Sequence, residues 1–254
     1  MCSLATSLPT FFGKWKSDYQ RGLERKDVSF IDTVFAATNS LLSGALNTIL
    51  SALFAIIIGT ISGILLGFLL CYANRYFRFP VRLYVDIIRG IPGLVTLFSV
   101  YFFLGYFLQG YGIDLSPLIS GIIALSAMCA ADVAELTRGA LQSIPQGQTE
   151  AGKAIGLRFD QIFFKILFPQ AAVHILPPWV NTATEMVKGS TLLSLIGVSE
   201  LLLTANQLVA TNGNALSYYS LIGLIFFLLN SLIQFLGARL EKRLTFFTRI
   251  KGDY

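Results

Sequence analysis

From Thr33 to Asn74 the chain carries no Asp, Glu, Lys or Arg, and that run limits what it can fold into. Crossing the ~30 Å hydrocarbon core of a bilayer takes about 20 helical residues, so a first membrane span near residues 43 to 73 has length to spare. Gly59, Gly63 and Gly67 recur four apart within it and fall on one stripe of a helix, where the missing side chains admit a close neighbour. Composition agrees with a membrane reading. Of 254 residues, 54% are hydrophobic and 13% charged, a balance that fits an all-α polytopic membrane protein and not one or two soluble domains.

Four further spans are expected. The second covers about 84 to 108 and is interrupted near its start by Arg89-Gly90-Ile91-Pro92-Gly93, since two glycines and a proline break a helix. The third covers 117 to 138, the fourth 170 to 196 with Pro177-Pro178 inside it, and the fifth 217 to 238, opening with Tyr218-Tyr219 at an interface. The net charge of +5 does not point to nucleic acid, because the basic residues sit beside apolar runs. They follow spans one, three and five and are absent from 109 to 116 and 197 to 217. The positive-inside rule therefore places the segment after span three and the C-terminal tail, 241 to 254, in the cytoplasm. Residues 1 to 40 are expected to be an interfacial or flexible segment, with Trp15, Tyr19 and Leu23 at helical spacing. The start, MCSLATSLPTFF, lacks the basic opening and apolar core of a signal peptide.

Between spans three and four lies SIPQGQTEAGKAIGLRFDQIFFKILFP, residues 143 to 169. Ser143 and Gln146 flank Pro145 in a pattern that starts a helix. Glu150-Ala151-Gly152 falls on that helix and Gly156 ends it in left-handed geometry. Asp160 caps a second short helix, with Ile162, Phe163, Ile166 and Leu167 on one face and Pro169 as its stop. These residues resemble the EAA loop of membrane permease subunits of type I ABC importers: a Glu-Ala-Ala triplet, a fixed Gly, and a closing Ile-x-Leu-Pro. Gly152 stands for the second Ala and Phe168 for Leu; Gly152 is expected to loosen the helix by up to ~1 kcal/mol. Arg89-Gly90-x-Pro92, Ala134-Glu135-x-x-Arg138-Gly139, Pro169-Gln170-Ala171, and Asn181 followed by Lys188-x-Ser190-Thr191 are similar to the polar amino-acid branch of these permeases.

The resemblance implies the type I ABC importer permease fold over residues 41 to 240, in the bacterial cytoplasmic (inner) membrane. Glu150, Ala151, Gly152 and Gly156 would couple to a dimer of ATP-binding subunits that carries the ATP and Mg, with no cofactor on this chain. A second permease copy, identical or similar, and an extracytoplasmic amino-acid-binding protein would complete the complex. Arg89, Asn181, Lys188, Ser190 and Thr191 are the candidate substrate-binding residues. A guanidinium beside a broken helix suits a carboxylate. Gly189 stands where relatives often carry Asp, which leans the substrate toward neutral or acidic amino acids.

Other ionisable residues have structural readings. Glu185 and Lys188, three apart, are expected to pair. Asp132, Glu135 and Arg138 are expected to form a salt-bridge ladder, and His174 to be a hydrogen-bonded interface residue. Cys2, Cys71 and Cys129 show no metal spacing. No phosphate loop, activated nucleophile or zinc pattern occurs, so no catalytic set is expected. A competing reading is an ion-coupled secondary amino-acid transporter using Asp132, Glu135 and Glu185, which would transport without nucleotide.

Overall fold

The glycine stripe of the first span packs as its spacing implies. In a computed structural model of the protein, which describes residues 30–252 and the side chains of 38–243, α1 (Phe30–Tyr72) lies along α4 (Pro117–Ser143). A Cβ at Gly59, Gly63 or Gly67 would fall 2.5, 2.6 and 2.5 Å from the Cβ of Cys129, Val133 and Thr137. It would also come within 3.0, 2.8 and 2.7 Å of the carbonyl oxygens of Ser126, Ala130 and Ala134. Both helices advance four residues per contact, so they run parallel. A return span must lie between them in sequence.

That return is α3 (Gly93–Gln109), preceded by a separate helix, α2 (Arg75–Gly90), from which it bends by 117°. The expected second span of 84 to 108 is thus two helices. Ile91, the residue before Pro92, is extended at φ −106°, ψ 150°, because the proline ring excludes the helical conformation there. α2 is amphipathic: Val85 is buried against Leu70 and Ala134, while Tyr76, Phe77, Phe79 and Leu83 are exposed beside its arginines. Such a helix suits the membrane interface.

After α4 come α5 (Gln146–Ala154), α6 (Phe159–Ile196), α7 (Leu201–Asn212) and α8 (Ala215–Gly252). α4 and α6 are antiparallel, since Gly189 faces Leu125 and Gly121 faces Leu193. α8 starts beside α7, with Tyr218 clustered with Leu41, Leu201 and Ala205, and returns to meet Val180 at Gly237. α1, α4 and α8 are long and apolar enough to cross a membrane unaided, and counting each of the bent pairs α2–α3 and α6–α7 as one span gives up to five. Every element among the described residues is helical.

Three sequence boundaries shift. α1 begins at Phe30, inside the segment expected to be interfacial or flexible, because no breaker or charge follows Asp32. The expected Trp15 helix lies outside the described residues. α8 continues through Gly252, into the expected tail. Tyr218 is not an interface anchor: it is buried, and its hydroxyl accepts from Asn212 Nδ2 at 2.7 Å.

Glu200 anchors the end of the molecule opposite α5. Its side chain is fully buried and its two carboxylate oxygens accept from the N–H groups of Leu202 and Leu203 at 2.9 and 2.8 Å. Thr48 Oγ1 takes the Leu201 N–H and Asn47 Nδ2 donates to the Ser199 carbonyl. Burial pushes the Glu200 carboxyl above its ordinary range, partly offset by the two backbone donors. Glu200→Ala strands those donors and is expected to cost about 1 to 3 kcal/mol, read as a lowered thermal midpoint in detergent. An unchanged midpoint would show that the cap does not stabilise the start of α7.

Candidate functional site

α5 and the start of α6 form a two-helix projection joined by a glycine turn. α5 ends in the hydrogen-bond pattern of a Schellman motif: the Leu157 N–H donates to the Gly152 carbonyl and the Gly156 N–H to that of Lys153, each at 3.0 Å. Gly156 has φ +80°, the left-handed geometry expected from its position. Gly152 is buried, and a Cβ there would come within 2.8 Å of Ile162 Cγ1. The expected cost in helix propensity is therefore accompanied by a closer approach of α5 to α6. Glu150, Ala151 and Gly156 are exposed; Ile155 and Phe164 are exposed apolar side chains on the same projection.

The anchoring of this projection differs from expectation in three places. Ser143 does not cap α5; its hydroxyl donates to the Ala140 carbonyl at 2.8 Å, and Pro145 precedes α5. Arg158, not Asp160, precedes the second helix, with its N–H donated to Gln161 Oε1 at 3.1 Å. Pro169 stops nothing. It lies inside α6, in the first turn after a widened turn at Phe163–Leu167, where its missing N–H is tolerated. α6 is consequently continuous from the projection to Ile196. Phe68 and Tyr72 of α1 hold its base through ring contacts with Phe163 and Phe159 at 4.9 and 5.1 Å.

Arg89 already has a partner. Its Nε donates to Asp132 Oδ1 at 3.1 Å, about three turns before the end of α4. The pair borders a cleft of about 510 Å³ that includes Gly90, Ile91 and Met128 at the helix break. The Glu135–Arg138 step of the expected ladder is present within α4, but Asp132 leaves it to pair with Arg89. Glu135 also takes Arg82 Nη1 at 3.2 Å across to α2, where Arg82 reaches Asp86 at 3.0 Å. Spacing along one helix could not reveal which arginine of α2 meets which carboxylate of α4.

The remaining candidates separate. Asn181, Glu185 and Lys188 are exposed along one face of α6, with His174 further along it. Among the described residues no ion pair joins Glu185 to Lys188, and His174 has no hydrogen bond. Ser190 is fully buried with its hydroxyl donated to the Val187 carbonyl at 2.7 Å, and Thr191 likewise serves the Lys188 carbonyl. These hydroxyls are spent on the backbone as α6 tightens into a 3₁₀ turn at Ser190–Ile196. A Cβ at Gly189 would point to Leu125 at 3.4 Å, toward α4 and away from the exposed face.

Residues 55–246 match the family described as binding-protein-dependent transport system inner membrane component. The chain belongs to this family. It is 33% identical over 185 residues to the arginine ABC transporter permease protein ArtQ of Haemophilus influenzae, covering 72% of this chain and 84% of that protein. It is 30% identical over 212 residues to the glutamine transport system permease protein GlnP of Escherichia coli, covering 83% and 95%. Among solved structures, an amino acid ABC transporter with histidines superposes with TM-score 0.75 at 27% identity, over 85% of this chain and 99% of that one. The MetNI methionine ABC transporter, inward facing, gives TM-score 0.68 at 26% identity over 81% and 96%. The protein is an amino-acid ABC importer permease of the polar amino-acid branch, with the multi-pass all-α fold expected. As a permease subunit it is not itself an enzyme.

Proposed function

We propose that this permease moves a polar amino acid across the bacterial cytoplasmic membrane, driven by ATP bound with Mg on a separate pair of subunits. The observation that carries this reading is the continuity of α6. One helix joins the exposed projection to Asn181, Glu185 and Lys188, so force applied at Glu150, Ala151, Gly152 and Gly156 reaches the polar face as rigid-body movement. The clustering of basic residues at the projection end supports a cytoplasmic placement by the positive-inside rule. The apolar faces left open on α1 and α8 are available to lipid and to a second permease copy, and a substrate-binding protein would deliver cargo at the α7 end.

Uptake into proteoliposomes holding the complete complex should require internal or external ATP on the side of α5. Uptake driven by an ion gradient without nucleotide would replace this reading with the secondary transporter. The expectation of neutral or acidic cargo rested on Gly189, which faces Leu125, so the proposal stops at polar amino acids. Ser190 and Thr191 contribute through the backbone of α6.

Within this scheme Arg89 receives the substrate carboxylate by exchanging it for Asp132. Losing one partner of a desolvated pair costs roughly 3 to 5 kcal/mol, and the partial exposure of this pair reduces that figure. Arg89→Ala should therefore lower uptake of every cargo about tenfold or more. Arg89→Ala combined with Asp132→Asn should remain equally impaired. Recovery in the double variant would mean that Arg89 serves only to neutralise Asp132.

A further inference from the structure

A second basic cleft opens where α2 crosses the ends of α1 and α4. It has a volume of about 350 Å³ and is lined by Arg75, Arg78, Arg82 and Arg138 against Leu70 and Phe79. None of these arginines belongs to the proposed substrate site or to the α5 projection. Three of the four guanidiniums are held in place from within. Arg78 Nη2 donates to the carbonyls of Cys71 and Ala73 at the end of α1, at 3.2 and 3.1 Å. Arg82 is held by Asp86 and Glu135, and Arg138 by Glu135 and Gln142. Arg75 makes no ion pair among the described residues.

Asp86 and Glu135 balance two of the four charges, and each guanidinium has five donors in a fork that matches phosphate oxygens. The cleft therefore keeps excess positive charge and spare N–H groups in a fixed arrangement. Phe79 on its wall and Tyr76 and Phe77 beside it are exposed at 68, 90 and 67%. Apolar rings next to arginines on one amphipathic helix suit the boundary between headgroups and acyl chains. We propose that this cleft binds the phosphate of an anionic phospholipid, with the acyl chains lying against the exposed rings of Phe79 and Phe77. The site would tie α2, and through the α2–α3 break the Arg89 cleft, to the lipid leaflet. Its occupant is set by charge complementarity and by adjacent apolar surface, a combination known for basic pockets between membrane helices.

The test uses the full-length chain, purified with its accompanying subunits and reconstituted in nanodiscs of equal parts phosphatidylglycerol and phosphatidylcholine. Phosphatidylglycerol carried through gentle extraction is counted by native mass spectrometry. Arg75→Glu should reduce its retention roughly fivefold, and Arg75→Gln less, with thermal midpoints in pure phosphatidylcholine unchanged. Lys242→Glu, an equal charge change on α8, should leave retention as it was. Equal retention in Arg75→Glu and the unmodified protein would overturn the site. An equal loss in Lys242→Glu would reduce it to diffuse surface attraction and also overturn it. Inorganic phosphate that displaces phosphatidylglycerol at millimolar concentration would assign the cleft to free phosphate instead. The readout does not involve transport, so it can fail while the importer reading stands, and the reverse.

Discussion

Replacing Gly156 by valine is expected to leave the permease inserted and assembled while substrate-stimulated ATP hydrolysis by its partner subunits falls about tenfold. The residue sits at φ +80°, and no atom lies within 4 Å of where a Cβ would be. Space is therefore not the obstacle. The cost is backbone strain, ~1 to 2 kcal/mol for an ordinary side chain in left-handed geometry and more for a branched one. That amount lowers the equilibrium constant for the native turn roughly tenfold, and the turn fixes the angle between α5 and α6. Basal hydrolysis should be retained. A correctly assembled Gly156→Val complex with normal stimulation would mean that the turn does not transmit the coupling.

The largest effect on folding is expected at the α1–α4 seam. Gly63→Leu would drive a side chain into Val133 and toward the Ala130 carbonyl, which a Cβ alone already approaches to 2.8 Å. Backbone atoms cannot rotate away, so the helices must separate. Overpacking of this kind costs about 1 to 3 kcal/mol and occasionally more. Gly63→Leu should abolish recovery of monodisperse protein, and Gly63→Ala should lower the thermal midpoint by an intermediate amount. Gly223→Leu on α8 is the matched control: nothing lies within 4 Å of a Cβ there, and its midpoint should not move. Similar losses at positions 63 and 223 would indicate a general intolerance of leucine and remove the seam from the argument.

The candidate site was only partly legible in advance. Gly156 could be placed because helix termination is local: a glycine after a helix allows the left-handed turn wherever the rest of the chain goes. Arg89 could be singled out because it stands beside a broken helix. Its engagement with Asp132 could not, because the two lie 43 residues apart and meet only when α2 crosses α4. The expected Glu185–Lys188 pair failed for a related reason. Residues three apart on a helix are able to meet, but spacing does not compel two exposed side chains to do so. The burial of Ser190 is not readable from sequence, because it depends on how α6 packs against α4.

Sequence alone determined the apolar membrane-spanning segments, the family and the glycine-turn projection. Hydropathy over about 20 residues, the bias of basic side chains, and glycine geometry are local or additive properties. Tertiary structure alone decided that the second span starts at Gly93, that α6 runs unbroken past Pro169, and that Glu200 closes the far end. It also decided which charges pair and which hydroxyls are already spent. Such outcomes depend on the relative placement of helices distant in sequence, where a few ångströms separate an ion pair from an exposed charge, and no local pattern encodes that distance.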